Sequence, residues 1–170
     1  ATYDNSWDKS KFDYGVEMNP QYINLLFNNE PQKVPFFIIK TSRFIKRLLH
    51  IKRSLAPFMY NHKTVRRLSY DLCWKNILQH KPVADNLIPC AFTDWDNTPR
   101  HQMNGYLFDG VTPEKFKYYL WKLVEKAKNE YPTDMIFVFA WNEWAEGGYL
   151  EPDEKNGYAM LEAIKEVAGK

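Results

Sequence analysis

A parallel α/β fold is predicted for this chain of 170 residues. From residue 87 onward, short apolar runs alternate with stretches of helical period, an order typical of parallel strands joined by crossover helices. Three apolar runs, at 12–18, 87–93 and 135–141, end in acidic and aromatic side chains. Because sites in such folds lie beyond the carboxyl ends of the strands, we expect these three ends to form one site.

The expected elements follow from apolar periodicity, helix caps and prolines. A buried strand is expected at 135–141 because its apolar run is continuous rather than alternating. In chain order, the predicted elements are a strand at 12–18, a helix capped by Ser69 that runs to His80, a strand at 87–93, a loop or short strand at 105–110, a helix from Thr112-Pro113 to about residue 131, the strand at 135–141 and a last helix after residue 156.

The composition indicates a globular protein and argues against several functional classes. Hydrophobic residues make up 45% of the chain and charged residues 26%, the balance of a folded domain. The net charge of +2 gives no global case for nucleic-acid binding. Cys73 and Cys90 lack the spacing of a zinc site or a disulfide framework. The aromatic content of 16% favours a surface that stacks on flat ligands.

We expect a single domain over residues 1–170, with a basic insertion-like segment at 31–70. That segment holds ten Lys or Arg and no acid, so the rest of the chain carries 13 basic residues (23 minus 10) against 21 acidic ones. Within it, Lys40–Arg53 has the pattern of a basic amphipathic helix. Such a helix either lies on an anionic membrane surface, holds diphosphates or is an ordinary solvated helix.

The expected location is the cytoplasm, with peripheral contact to the inner membrane through Lys40–Arg53 as an option. No apolar run reaches the ~18 residues that a membrane span needs, and no signal peptide is recognised. The chain opens at Ala1 in polar residues, so we expect it to be a piece of a longer protein.

The segment after residue 140 is the richest in potential catalytic groups. Glu143 and Glu146 would share a face if the backbone turned helical after Trp141. Cleavage of a glycosidic bond needs two carboxyl groups in different protonation states. Trp141 and Trp144 could raise one pKa by desolvation and stack on a sugar, and Asn142 could donate to a hydroxyl. The plain alternative is a strand end with solvated acids.

A second polar and aromatic cluster follows the strand at 87–93. Asp96 and Arg100 could bind sugar hydroxyls or a phosphate, whereas the plain alternative is an Asx-rich turn. Glu17, near the end of the first strand, is either a site residue or an exposed or ion-paired acid. The chain contains no GxGxxG, GxxxxGK, GxSxG or HExxH motif. We therefore expect neither a cofactor nor a metal; a metal site formed by Glu17, Asp96 and Glu143 is the open alternative, although nothing in their spacing requires it.

Three segments resemble conserved blocks of the WbsX-type proteins, which are related to glycoside hydrolase family 99, the endo-α-mannosidase group. Residues 140–153 resemble the last block, Trp95 to Arg100 resemble the other hallmark, and residues 12–17 resemble a weaker earlier strand. The resemblance runs from about residue 12 to the end. It implies a (β/α)8 barrel of the TIM type. Such barrels take roughly 250 residues, so this chain would form only the C-terminal part.

The resemblance also implies roles for individual residues. Glu143 would deprotonate the sugar 2-hydroxyl, which attacks its own anomeric carbon to give an anhydro-sugar, and Glu146 would act as general acid and then base. Trp95, Asp96, Asn97 and Arg100 would line the same site as sugar-binding or loop-organising residues. The chain departs from the hydrolases at Ala145, where they typically place a His. That departure leaves the substrate and donor open.

The expected function is therefore that of a carbohydrate-active enzyme. It would cleave or transfer a glycosidic linkage of an oligosaccharide or activated sugar in bacterial surface polysaccharide (O-antigen or lipopolysaccharide) metabolism. The alternatives are a non-catalytic carbohydrate-binding domain and a membrane-surface scaffold. Because an open half barrel exposes strand edges, we expect a homo-oligomer or a missing N-terminal half.

Overall fold

The computed structural model describes residues 11–23 and 65–169. The strands within these ranges are β1 (Gly15–Val16), β2 (Arg66–Ser69), β3 (Leu87–Ile88), β4 (Cys90–Phe92), β5 (Tyr106–Asp109), β6 (Phe137–Phe139), β7 (Asn142–Glu143) and β8 (Gly148–Tyr149). The α-helices that lie wholly within these ranges are α1 (Tyr70–Gln79), α2 (Thr98–His101), α3 (Pro113–Glu130) and α4 (Ala159–Ala168), and 3-10 helices within them span Gln102–Asn104 and Trp144–Glu146. The basic helix expected at Lys40–Arg53 lies outside the described residues.

The strand pairing confirms a mixed α/β fold with parallel strands. β1 pairs with β3, β2 with β5 and β4 with β6, all in parallel, whereas β7 and β8 form an antiparallel hairpin. β3 and β4 are two halves of one extended segment interrupted at Pro89. The carbonyl of Ile88 accepts from the Glu17 N–H at 3.1 Å, and that of Pro89 accepts from the Phe137 N–H at 3.0 Å. The first half is thus paired with β1 and the second with β6.

Two predicted helix caps are confirmed and fix the helices that cover the strands. Ser69 Oγ accepts from the Leu72 N–H at 3.2 Å, and Thr112 Oγ1 accepts from the Lys115 N–H at 3.2 Å. α1 then buries Trp74, whose indole stacks between the rings of Phe92 and Tyr119 at centroid distances of 5.3 and 5.4 Å. Burial of a large apolar side chain contributes roughly 1.5–3 kcal/mol, so this stack is a main stabilising contact between α1, α3 and β4.

The strands differ from the prediction in length and burial. The strand expected at 12–18 pairs in β1 only at residues 15 and 16. The strand at 135–141 was predicted to be buried, and this prediction was wrong, since Met135 is 46% and Phe137 50% exposed. Pro89 interrupts its strand rather than beginning it, because proline lacks the N–H that a ladder requires. None of the helices in the described ranges is long and apolar enough to cross a membrane.

Candidate functional site

The loops that follow β4 and β6 meet at the carboxyl ends of these two strands. The Asp96 N–H donates to the Glu146 carbonyl at 2.7 Å. Gly147 has φ +68°, and a Cβ there would lie 2.9 Å from the Asp96 nitrogen. A Cβ at Gly148 would lie 2.8 Å from the Phe139 ring. The two glycines therefore permit an approach that a side chain would block.

The loop after β4 is organised by its own polar side chains. Asp96 Oδ1 accepts from the Thr98 N–H at 2.9 Å and from the Thr98 hydroxyl at 2.6 Å. Asn97 is buried, and its Oδ1 accepts from the Tyr106 N–H at 2.8 Å. These bonds hold α2 so that Arg100 Nη1 lies 3.2 Å from Glu146 Oε1. The loop thus forms the Asx-type turn, and the same turn also places Arg100 in contact with the second loop.

The two acids of the second loop lie in a hairpin. Glu143 is in β7, opposite Gly148, and Glu146 ends the 3-10 helix that connects β7 to β8. The backbone does not turn helical directly after Trp141, and the 3-10 turn begins only at Trp144, so the condition under which Glu143 and Glu146 would share a helical face is not met. The backbone there is used in hairpin pairing instead, since the Ala140 N–H donates to the Gly148 carbonyl at 2.9 Å. Gly147 in the left-handed region then allows the tight turn.

The three tryptophans of the two motifs have different environments. Trp95 is 3% exposed and packs against the rings of Tyr106 and Phe139, at 5.8 and 5.5 Å. We expected Trp95 to line the site, but it lies in the hydrophobic core instead. Trp141 and Trp144 are 54% and 49% exposed and flank the acids in sequence. These two rings are therefore the aromatic surface available to a ligand.

Glu17 lies in a separate cluster. It is 2% exposed, its Oε2 accepts from the Tyr131 hydroxyl at 2.7 Å, and its Oε1 lies 3.5 Å from His80 Nε2. Tyr131 and His80 precede β6 and β3, so this cluster lies toward the amino ends of the strands. The structure does not bring Glu17 to Glu143 and Glu146, because β1 is short and pairs with β3 rather than with β4. Glu17 is therefore a buried acid whose polar neighbours are Tyr131 and His80, and not an exposed one.

Asp94 belongs to the polar cluster that the sequence shows after the strand at 87–93, but no role was predicted for it; it lines a pocket of about 40 Å³ together with Tyr149, Glu151 and Asp153. Burial raises the pKa of Asp94 to about 6, and its Oδ1 accepts from the Trp95 N–H at 2.6 Å. The available signal was an acid directly after an apolar strand. A pocket of this size accommodates water but not a sugar ring.

Among residues 11–23 and 65–169, no group of three or more His, Cys, Asp and Glu is arranged to hold a metal ion.

Residues 2–164 match the family model described as "Glycosyltransferase WbsX". The chain belongs to the glycosyltransferase WbsX family. The resemblance seen in the sequence is thereby confirmed at the level of the family.

Two curated relatives of this WbsX-family chain come from two strains of Xanthomonas campestris pv. campestris, and both are named "Uncharacterized protein WxcX". The first is 35% identical over 102 residues, which cover 56% of this chain and 15% of the relative. The second is 34% identical over 100 residues, which cover 55% of this chain and 14% of the relative. The chain thus spans a small part of the length of these relatives. No solved structure matches it.

Proposed function

We propose that this chain carries the acid-bearing part of an enzyme that cleaves or transfers a glycosidic linkage in bacterial surface polysaccharide metabolism. The observation that supports it is the contact between the two family motifs, in which Arg100 from one loop lies 3.2 Å from the Glu146 carboxylate of the other. Exposed Trp141 and Trp144 flank the acids. The family description, a glycosyltransferase, supports sugar chemistry at this contact.

In the proposed reaction, Glu143 accepts the proton of the sugar 2-hydroxyl, and the 2-oxygen attacks the anomeric carbon. The bond to the leaving oxygen breaks as Glu146 donates a proton to that oxygen. In the second half, Glu146 takes a proton from the acceptor hydroxyl or water, which opens the anhydro-sugar, and Glu143 returns its proton to the 2-oxygen. Each carboxyl group ends as it began, and the anomeric configuration is retained.

The neighbouring residues have distinct parts in this proposal. Arg100 stabilises the Glu146 carboxylate left after proton donation, as a guanidinium beside a developing anion does. Asn142, exposed at the start of β7, donates to a substrate hydroxyl. Asp96 and Asn97 hold the loop that presents Arg100.

We also propose the barrel as the wider architecture. Three parallel strand pairs with helices between them fit a part of a (β/α)8 barrel. The remaining strands would come from an N-terminal half or from a second copy of the chain.

Contact with an anionic inner membrane through Lys40–Arg53 belongs to the same proposal. Sedimentation with anionic vesicles at low salt tests it, and absence of binding would contradict it.

The test is turnover of mannose- and glucose-type oligosaccharides, with products followed by mass spectrometry and the anomer by proton NMR. Glu143→Gln and Glu146→Gln each abolish turnover and leave folding intact. Glu166→Gln, which removes an exposed acid paired with Lys117 on α3, is the matched control and keeps full turnover. Turnover that survives both site substitutions would contradict the assigned roles.

A second candidate is a non-catalytic carbohydrate-binding domain, which the exposure of Trp141 and Trp144 favours. It predicts that the chain binds oligosaccharides without converting them, and that Glu143→Gln and Glu146→Gln leave the affinity unchanged.

A further inference from the structure

The Trp144 indole is half exposed, although contacts with neighbouring side chains fix its orientation. Its indole stacks on the Tyr149 ring with a centroid distance of 3.7 Å and an interplanar angle of 16°. The residue is nonetheless 49% exposed. Since Tyr149 covers one face of the indole, the exposed surface belongs mainly to the opposite face. Trp144 follows Glu143 and begins the 3-10 helix that ends at Glu146, so this open face belongs to the acid-bearing hairpin.

Hydrogen bonds fix both rings of this stack. The indole Nε1–H of Trp144 donates to Glu151 Oε2 at 2.5 Å. The Tyr149 hydroxyl donates to Asp153 Oδ2 at 2.8 Å, and Asp153 Oδ1 accepts from the Asn156 N–H at 2.5 Å. Burial, and then the bond to Asp153, raise the pKa of Tyr149 to about 12, so its hydroxyl stays a donor near neutral pH.

This arrangement differs from that of the tryptophans with a packing role. Trp74 and Trp95 are buried at 0% and 3% exposure, as expected for an indole that stabilises a core. Trp144 has its ring orientation determined while half of its surface stays open. An ordered aromatic face lowers the entropy lost when a ligand binds to it. The separate bonds from Trp144 to Glu151 and from Tyr149 to Asp153 hold the stack in the order that such a ligand contact would need.

We propose that the open face of Trp144 is a subsite for a hexopyranose ring of the substrate, stacked through its C–H face, with Tyr149, Glu151 and Asp153 as positioning residues. The proposal rests on the proposed function, since it names the substrate class of the same site. An aromatic ring offers a flat apolar surface with a negative face, which attracts the weakly positive C–H groups of a pyranose. An acyclic polyol has the same hydroxyl groups but no such rigid face, so it is not bound.

The test follows the indole N–H signals of the 15N-labelled chain during titration with mannotetraose, with maltotetraose and with sorbitol. We expect a saturable shift of the Trp144 signal, assigned by its loss in Trp144→Phe, with a tetrasaccharide and not with sorbitol. Trp144→Ala raises the Kd about three- to tenfold, the range of an aromatic contact, whereas Trp144→Phe restores part of the affinity. Trp121→Ala, on α3 and outside the two loops, is the matched control and leaves the Kd unchanged.

Paired substitutions separate positioning from packing. Tyr149→Phe keeps the ring and keeps most of the affinity, whereas Tyr149→Leu loses the stack and raises the Kd as Trp144→Ala does. Glu151→Gln keeps an acceptor for the indole, whereas Glu151→Leu does not. In turnover assays, Tyr149→Leu and Glu151→Leu raise KM while kcat changes little, which a general loss of folding would not produce.

The possible outcomes separate this proposal from the proposed function. If neither tetrasaccharide shifts the Trp144 signal, or if Trp144→Ala binds as well as the unchanged chain, the subsite is wrong. Loss of turnover in Glu143→Gln would then still support the reaction. If the Trp144 signal shifts but no oligosaccharide is converted, the subsite stands and the enzymatic proposal fails. Trp144→Phe, which keeps an aromatic ring, covers the case in which Trp144→Ala does not fold.

Discussion

Arg100 and Glu146 form an ion pair of 3.2 Å between two loops that lie 46 positions apart in the chain. Arg100 is largely exposed. Exposed pairs of this kind stabilise a protein by only about 0–1 kcal/mol. The contact therefore contributes little to folding, and its significance lies in where it places the guanidinium relative to a proposed catalytic carboxylate.

Replacement of Arg100 separates activity from stability. Arg100→Gln is expected to change the free energy of unfolding by about 1 kcal/mol or less, because the Arg100 side chain is 54% exposed, although that of Glu146 is only 17% exposed. Turnover is expected to fall on the order of tenfold or more, because the Glu146 carboxylate loses its stabilising partner. Urea unfolding and initial rates measure the two quantities. Arg67→Gln, which breaks the exposed pair with Asp109, is the control; an equal fall in its turnover would contradict the role of Arg100.

Gly147 is predicted to be the less replaceable of two glycines with positive φ. Gly147→Ala forces an L residue into the left-handed region at a cost of roughly 1–2 kcal/mol and also places Cβ 2.9 Å from the Asp96 nitrogen. Gly157, with φ +54°, has nothing within 4 Å of such a Cβ, so Gly157→Ala has only the conformational cost. Thermal unfolding should show the larger loss for Gly147→Ala. Equal losses would mean that the two loops are not in close contact.

Asp94 predicts a specific dependence of stability on pH. Burial raises its pKa from 3.8 to about 6, so the folded state holds the proton more tightly than the unfolded state. The resulting stabilisation is complete below about pH 4 and is lost as the pH rises through 6. With about 1.4 kcal/mol for each pKa unit, reduced because the group is partly solvated, the charged form costs about 2 kcal/mol.

Asp94→Asn, which keeps the acceptor for the Trp95 N–H, is therefore expected to match the unchanged chain at pH 4 and to exceed its stability by about 2 kcal/mol at pH 7.5. Denaturant unfolding at the two pH values measures this difference. A difference between the two proteins that stays constant with pH would show that Asp94 keeps its ordinary pKa.

Tyr131 tests the separation of the Glu17 cluster from the site. Tyr131→Phe removes the donor to Glu17 Oε2 and leaves a buried carboxylate oxygen without that bond, which costs about 1–3 kcal/mol. Turnover is expected to stay the same, since the cluster lies toward the amino ends of the strands. Tyr118→Phe, at an exposed position of α3, is the control for loss of a hydroxyl. A fall in kcat for Tyr131→Phe without loss of stability would show that the Glu17 cluster does contribute to the proposed site.

The features that the sequence predicted well are local ones. Ser69 and Thr112 cap helices through bonds to residues three positions ahead, so the caps can be recognised without the fold. The parallel arrangement follows from alternating strands and helices, and so does the meeting of the loops after β4 and β6. The hairpin at Glu143 was missed because it depends on Gly147 and Gly148 packing against distant Asp96 and Phe139.

The burial of individual side chains was harder to predict. Trp95 and Trp144 both follow apolar strands and both neighbour acids, yet one lies in the core and the other is half exposed. Trp95 packs against the rings of Tyr106 and Phe139, whereas Trp144 stacks on Tyr149 alone, and the residue types do not encode these contacts. The sequence left two alternatives open for Glu17, because it does not show how far β1 reaches along its neighbour.

Pro89 separates β3 from β4, which pair in two different two-stranded sheets. Below it, β3 is paired with β1, which leads into the buried Glu17; above it, β4 is paired with β6, and both lead into the loops that carry Arg100 and Glu146. The proline has no N–H to share between the two halves. The backbone ladder of β1 does not continue into β4, and the buried bond from the Asn19 amide to the Cys90 carbonyl at 2.9 Å links the segment after β1 to β4. Substitutions around Glu17 are therefore expected to act mainly on stability, and substitutions in the loops after β4 and β6 mainly on the proposed site.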